Sequence, residues 1–349
     1  MIFFNGPLND TSYGIVSHNI LTQLRNLTDV AVFPIGKMHS SDFLQSVEMQ
    51  KTMELQSLDF PTLKIWHQFA MNESATCGPQ VGYTFFEMNR LTQWEMACLN
   101  CLDQLVLPTN WAAEVCRKSG YKKDIEVVPP GYDPEIFKPV DYFPQKCIFL
   151  SIGKWEVRKQ QDQIVEAFHK AFGNKQDVSL WMSFENKFIG KEFNANKARQ
   201  YKDLLGSNLV ILDRVSEHEQ IARIMQQAYC YVAPSLAEGF NMPLLESMAC
   251  NKEVIATDYS GHTEFITDNC CKIQITGTQI ANDGMWFNRN KFQNCGEWAT
   301  YNLDDLVNAM RSMYNKWSNG VISGTAKDVK RFTWENTAKD LLSCLQKKK

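Results

Sequence analysis

Short apolar runs of strand length alternate with segments whose apolar residues recur at helical spacing almost throughout the chain. That rhythm predicts βαβ units and parallel sheets. It is clearest in the second half. Residues 147–152 (CIFLSI) read as a strand, and 160–172 as a helix with Ile164, Val165, Phe168 and Phe172 on one face. Residues 178–184 read as a strand, and, after a polar stretch, so do 208–215; Ser216 and Glu219 then stand at capping-box spacing before a helix. Strands at 229–235 and 253–257, with a helix near 243–250 between them, complete a doubly wound domain. The first half repeats the pattern, with a strand at 1–5, a helix ending near 27, and strands near 29–35, 62–67, 81–86 and 103–107.

Prolines 129, 130, 134, 139 and 144 crowd one segment, and a residue before proline is pushed out of the helical region, so the domain boundary is expected there. The predicted domains are 1–142 and 143–332, and the segment 333–349 is expected to be a helix that returns to the first domain. A length of 349 residues suits two domains, each able to bury a core without staples.

Composition changes this picture only by exclusion. Thirty-six Lys and Arg against 39 Asp and Glu give a net charge of -3, which speaks against nucleic acid as a partner. No apolar run approaches 18 residues, and the start MIFFNGPLND lacks a signal-peptide pattern. Eleven cysteines are an odd number and read as reduced thiols. A soluble, cytoplasmic protein is expected, with peripheral membrane contact left open. Cys98 and Cys101 form a lone CxxC, too few ligands for structural zinc, and no metal site is expected.

The most informative stretch is APSLAEGFNMPLLESMACN, 233–251. A strand ends at Ser235, Asn241 occupies an N-cap position, and Pro243 stands in a helical first turn, where its missing N–H costs nothing. A helix N-terminus placed there presents N–H groups and partial positive charge to a diphosphate. Glu246, expected in the same first turn, suits a ribose diol, and Glu238 suits the hydroxyls of a sugar beside Gly239. A second constellation is GKWEVRKQ, 153–160, where Lys154 and Lys159 bracket a strand-to-helix turn and Arg158 adds a third cation. Two lysines offset much of a diphosphate's charge, and there is no Asp-x-Asp pair of the kind that holds a divalent ion on nucleotide phosphates.

These motifs, with LPTNWAAEVCRKSGY and IEVVPPGYDPEIFKP (107–139), FLSIGKWEVRKQQDQIVEAF (149–168), VIATDYSGHTEFITD (254–268) and FTWENTA (332–338), resemble the retaining GT4 family of glycosyltransferases. The resemblance implies an α/β GT-B fold: two Rossmann-like domains with parallel sheets, facing each other across an interdomain cleft. It implies a nucleotide-sugar donor in the C-terminal domain and a carbohydrate, lipid-linked or protein acceptor in the N-terminal one. It assigns Lys154 and Lys159 to the diphosphate, Glu246 to the ribose and Glu238 to the transferred sugar. Arg158, Gly239, Phe240 and Asn241 join the donor site, with Gly14 and Glu87 from the first half, and His67 of IWHQ reaches the donor sugar. Metal-independent hexosyl transfer with retention follows by the same resemblance. A nucleotide-sugar-binding protein without turnover and a phosphorylase on the same scaffold are the alternatives. The chain departs from the family in Lys154 for the commoner arginine, Gln160 and Asn251 where glycines are usual, and Gly6 and Gly14 flanking PLNDTSY in place of two adjacent glycines. His18 and His262 are weaker candidates, and His39, His169 and His218 read as surface residues.

Overall fold

A computed structural model describes residues 1–36, 52, 55, 57–215, 217–287 and 296–347. They form two compact units: residues 1–131 with 296 and 332–347, and residues 132–287 with 297–331. The chain changes unit at Gly131, inside the proline-rich stretch.

The first unit runs β1 (Ile2–Gly6), α1 (Ser12–Arg25), β2 (Val30–Pro34), β3 (Thr62–Ile65), β4 (Gln80–Tyr83), α2 (Gln93–Asn100), β5 (Gln104–Leu107), α3 (Asn110–Lys118) and β6 (Ile125–Val127). Its strands are parallel in the order β2-β1-β3-β4-β5-β6. Phe3, Phe4, Leu63, Ile65, Val81 and Leu105 are fully buried, as expected of a sheet covered on both faces. A threonine caps each helix: Thr11 accepts from Gly14 N, Thr92 forms a capping box with Glu95, and Thr109 accepts from Ala112 N.

The second unit runs β7 (Cys147–Ile152), α4 (Gln161–Phe172), β8 (Val178–Ser183), α5 (Lys191–Leu205), β9 (Leu209–Ile211), α6 (His218–Gln227), β10 (Cys230–Ala233), α7 (Met242–Ala249), β11 (Glu253–Thr257), β12 (Cys271–Ile273), β13 (Ile275–Ile280), β14 (Glu297–Tyr301) and α8 (Leu303–Ser318). The parallel order is β12-β11-β10-β7-β8-β9, and β13 and β14 form a separate antiparallel pair. Phe149, Phe168, Leu180, Met182, Val232 and Ile255 fill the core, closed by Leu306 and Met310 of α8. A last helix, α9 (Trp334–Gln346), belongs to the first unit, where it packs on α1 and Thr337 Oγ1 donates to Pro129 O at 2.8 Å.

The polar stretch before β9 is a 15-residue helix, α5, which buries only Tyr201 and Leu205 and so carries almost no apolar period. The strand expected over 208–215 is only three residues long. Ser216 lies outside the described residues; α6 starts after Glu217, whose side chain makes no cap hydrogen bond. Lys347 pairs with Glu126 at 2.8 Å, and Lys348 and Lys349 lie outside the described residues. The ten described cysteines are free thiols. Among the described residues no helix is long and apolar enough to cross a membrane.

Candidate functional site

A parallel sheet opens a crevice at the carboxyl ends of its strands wherever the strand order reverses, and ligands of such folds bind there. In the second unit that reversal falls between β7 and β10, which pair directly. Both predicted motifs start at this point: GKWEVRKQ follows β7, and APSLAEGFN begins with the last residue of β10.

The loop after β7 is shaped from within. Tyr231 Oη donates to Ile152 O at 2.8 Å, fixing the strand end. The chain makes a 3-10 turn at Val157–Lys159 and passes through Gln160 in the left-handed conformation (φ 59°) into α4. The buried Gln161 side chain donates to Gly153 O and Lys154 O at 3.2 and 3.1 Å and accepts from Glu156 N. The loop after β10 is tied to it by Leu236 N donating to Arg158 O at 2.7 Å. Ser260 Oγ accepts from Glu238 N at 2.8 Å, and Gly261 N donates to Glu238 O. Only glycine fits at 261, because a Cβ there would stand 2.3 Å from Gly239 O.

Five charged groups alternate across the two loops. Lys154 Nζ meets Glu156 Oε1 at 2.7 Å, and Glu156 Oε2 meets Arg158 Nη2 at 2.8 Å. Arg158 Nη1 meets Glu238 Oε2 at 2.7 Å, and Glu238 Oε1 meets Lys159 Nζ at 2.7 Å. Ser235 Oγ also donates to Glu238 Oε1, at 2.9 Å. Burial would raise the Glu238 carboxyl, but the Arg158 and Lys159 cations outweigh it and hold it well below the usual carboxylate range. Glu246 is the opposite case: it is buried without an ion-pair partner among the described residues, and burial pushes its carboxyl up to about 8.

The placements refine the expectations in several ways. Arg158 is not an open third cation; it is buried, with its guanidinium bridging Glu156 and Glu238. Asn241 is the N-cap of α7, but in the left-handed conformation (φ 78°) and with no side-chain cap bond; its Nδ2 has no partner among the described residues. Glu246 is the fifth residue of α7 and so lies in its second turn. Gly239 sits against Gly261, and Phe240 packs its ring on Phe265 at 5.0 Å. Asn251 is left-handed (φ 60°), as its place after a helix requires. His262 is fully buried against Thr257 O, and burial lowers its pKa. His218 is half-buried beside Phe137, with its pKa also lowered by burial, so it is not a free surface group. His18 and His169 are exposed, and His39 lies outside the described residues.

Gly14, His67 and Glu87 belong to the first unit, where the strand order reverses between β1 and β3. Gly14 lies in α1, and a Cβ there would stand 2.1 Å from Asn9 O, so the loop before α1 occupies that space. His67 follows β3 and packs against Tyr13 (4.6 Å between centroids) and, stacked, against Phe69 (5.1 Å). Glu87 is half-buried, and its charge contributes to raising the Tyr13 pKa behind the larger effect of burial. Sequence reasoning missed Glu156, Gln161, Ser260 and Tyr13; the one available signal was an acidic residue inside an otherwise basic turn. Among the described residues no group of three or more His, Cys, Asp or Glu side chains is placed to hold a metal ion.

Comparison with known proteins identifies the fold. The fold matches sucrose-phosphate synthase from Thermosynechococcus elongatus (TM-score 0.73, 14% identity, 99% of this chain and 98% of that one). It equally matches HepE of Anabaena, solved in complex with UDP and glucose (TM-score 0.71, 13% identity, 99% of both chains). The architecture is therefore the GT-B fold. In sequence, the family of glycosyl transferases group 1 matches residues 133–282. The D-inositol 3-phosphate glycosyltransferase of Stackebrandtia nassauensis is 26% identical over 257 residues, 69% of this chain and 53% of that protein. That of Mycobacterium tuberculosis is 23% identical over 228 residues, 63% and 43% respectively. The chain thus spans about half the length of the curated relatives it matches. Residues 133–282, which lie in the second unit, are thus similar to the glycosyl transferases group 1 family, and these relatives are GT4-type glycosyltransferases.

Proposed function

We propose that the protein is a retaining glycosyltransferase that moves a hexosyl-type sugar from a nucleotide-sugar donor to an acceptor hydroxyl, without a metal ion. The observation that carries this reading is the chain of ion pairs at the β7/β10 reversal, which links the Lys154 and Lys159 ammonium groups to buried Glu238. A second buried glutamate, Glu246, without an ion-pair partner among the described residues, stands on the helix that follows β10. Lys154 and Lys159 take the diphosphate, aided by the backbone N–H groups that open α7. Glu246 takes the ribose diol and Glu238 the transferred sugar, with Gly239, Phe240 and Asn241 shaping the floor. The departing diphosphate accepts the acceptor's proton on the face it leaves, so no protein nucleophile is needed. Catalysis then lies in stabilising the negative charge that develops on the leaving group. The family of the relatives and the UDP held by HepE support a nucleotide-sugar donor. Free thiols suit a reducing compartment, and the cytoplasm is the proposed location.

The test is turnover with UDP-, GDP- and ADP-sugars, with and without EDTA, and assignment of the product anomer by NMR. Sugar transfer unaffected by EDTA and with the anomer kept is the expected result. Binding without turnover would indicate a sensor, phosphate-dependent cleavage a phosphorylase, and rescue by Mn²⁺ after EDTA a metal-dependent enzyme.

A further inference from the structure

Glu156 has no part in the reaction as proposed, yet it is buried, and both its oxygens stand at ion-pair distance from cations, although Oε2 makes no hydrogen bond of good geometry among the described residues. Of the three cations in the network, Lys154 is the most open, at 37% side-chain exposure against 18% for Lys159 and 8% for Arg158. A lysine is a point charge on a flexible stem, so something must fix where its ammonium stands. Here the Glu156 carboxylate holds it on one side at 2.7 Å, and the Phe188 ring lies 5.6 Å from it. Arg158 cannot substitute, because its Nη2 is on Glu156 and its Nη1 serves both Glu238 and Ala237 O. Three cations against two carboxylates leave the network a net charge of +1; without Glu156 it would be +2.

We propose that Glu156 is a positioning residue of the donor site: it fixes the Lys154 ammonium and holds back the positive charge of the β7 loop, so that the nucleoside diphosphate is released after transfer. This rests on the donor-site reading above. A purely structural glutamate and a charge-restraining one differ in sign. Loss of a structural residue weakens ligand binding. Loss of a restraining carboxylate strengthens the grip on an anion and slows its release.

The experiment is calorimetric titration of UDP, GDP and ADP, continuing with whichever binds wild type most tightly, alongside kcat and KM for the corresponding sugar nucleotide. Glu156→Gln is expected to bind that nucleotide roughly tenfold more tightly, an extra charge at partly exposed range, with kcat and KM both lowered. Glu156→Asp keeps the charge but is one methylene shorter. It is expected to bind the nucleotide within about twofold of wild type while kcat/KM falls, since the ammonium is no longer held in place. Lys154→Gln is expected to weaken nucleotide binding at least tenfold. Unchanged or weaker binding by Glu156→Gln overturns the proposal. So does wild-type kcat/KM in Glu156→Asp, or wild-type binding by Lys154→Gln, and these two decide the matter should Glu156→Gln fail to fold. A wild-type protein that binds none of the three nucleotides would sink the donor-site reading itself.

Discussion

At the carboxyl ends of the first sheet, where its order reverses between β1 and β3, the side chains that follow the strands are aromatic. Tyr13, Trp66, His67, Phe69 and Phe85 pack on one another, with Tyr13 lying 4.6 Å from His67 and 5.5 Å from Phe85. At the corresponding reversal of the second sheet, between β7 and β10, they are ionic. Topology supplies the crevice in both cases, and the chemistry placed in it differs. The rings stabilise themselves by contact, and Tyr13 Oη closes the set by donating to Phe85 O and accepting from Phe85 N. Buried charges stabilise nothing alone: each must be matched, and removing one strands the others. The ionic end is therefore expected to be far more sensitive to a single substitution than the aromatic end.

Glu238→Gln should show the largest effect, because it leaves Arg158 and Lys159 without their shared counter-charge. Loss of one partner from a buried pair costs on the order of 3–5 kcal/mol, which lowers Tm by roughly 10 °C in a unit of this size. Thermal unfolding measures it. A variant melting with wild type would mean that the ionic end is held by its backbone bonds, and the contrast between the two ends would disappear.

Next in size is a dependence on pH that Glu246 imposes within the ionic end itself. Its folded-state carboxyl titrates near 8 against an ordinary 4.5, so between those values the folded protein holds a proton that the unfolded chain has lost. Stability must then fall as pH rises through that window, by an amount on the order of a few kcal/mol. Glu246→Gln escapes this, and its Tm advantage over wild type is expected to grow from pH 5 to pH 8. Two ribose hydroxyls would favour the ionised carboxylate, so nucleotide affinity should rise toward pH 8 and then level off, with a proton released on binding at pH 7. Titrations in buffers of different ionisation enthalpy read that proton. An affinity flat from pH 6 to 8.5 would remove Glu246 from the ribose.

Much of this contrast was legible in the chain. The apolar strands and the two motifs announced the second sheet and its charged end, because strand period, a proline in a helical first turn and clustered lysines are local signals. What was not legible depended on partners far away in sequence. That Arg158 would be buried follows from Glu238, eighty residues on; that Glu238 N would find a hydroxyl follows from Ser260. Glu156 is a different case: its two cations are only two residues away on either side, but its burial, which turns a solvated charge into a paired one, is not a local signal. Helix α5 gives almost no signal, because its buried stripe holds only two residues, Tyr201 and Leu205. The aromatic end was nearly silent, since Tyr13 and His67 are ordinary apolar-face residues until the fold brings them together.

His67→Ala tests the aromatic end. The neighbouring rings remain in mutual contact, so stability is expected to fall by less than about 2 kcal/mol. If His67 reaches the donor sugar, kcat/KM should fall roughly tenfold or more, while the affinity for the bare nucleotide stays at its wild-type value. Equal losses in both would mean that the histidine serves the nucleotide or the packing of the first sheet. Unchanged kinetics would leave the aromatic end structural.

The smallest effect is expected at Gln160, where the ionic end is shaped by backbone geometry. A left-handed conformation costs an L-residue roughly 1–2 kcal/mol, and glycine's greater unfolded freedom costs roughly 0.5–1 kcal/mol in return. Gln160→Gly should accordingly be neutral to slightly stabilising, with kcat and KM unchanged, although it gives up the side-chain bond from Nε2 to Val157 O at 2.7 Å. Gln160→Val keeps the need for positive φ and adds a β-branch, so it should destabilise the loop and displace Lys159, the preceding residue in the chain. Paired melts and kinetics separate the two. If valine is tolerated as well as glycine, the turn that presents Lys159 is set by the ion pairs around it, and the charges at this end organise the backbone rather than depend on it.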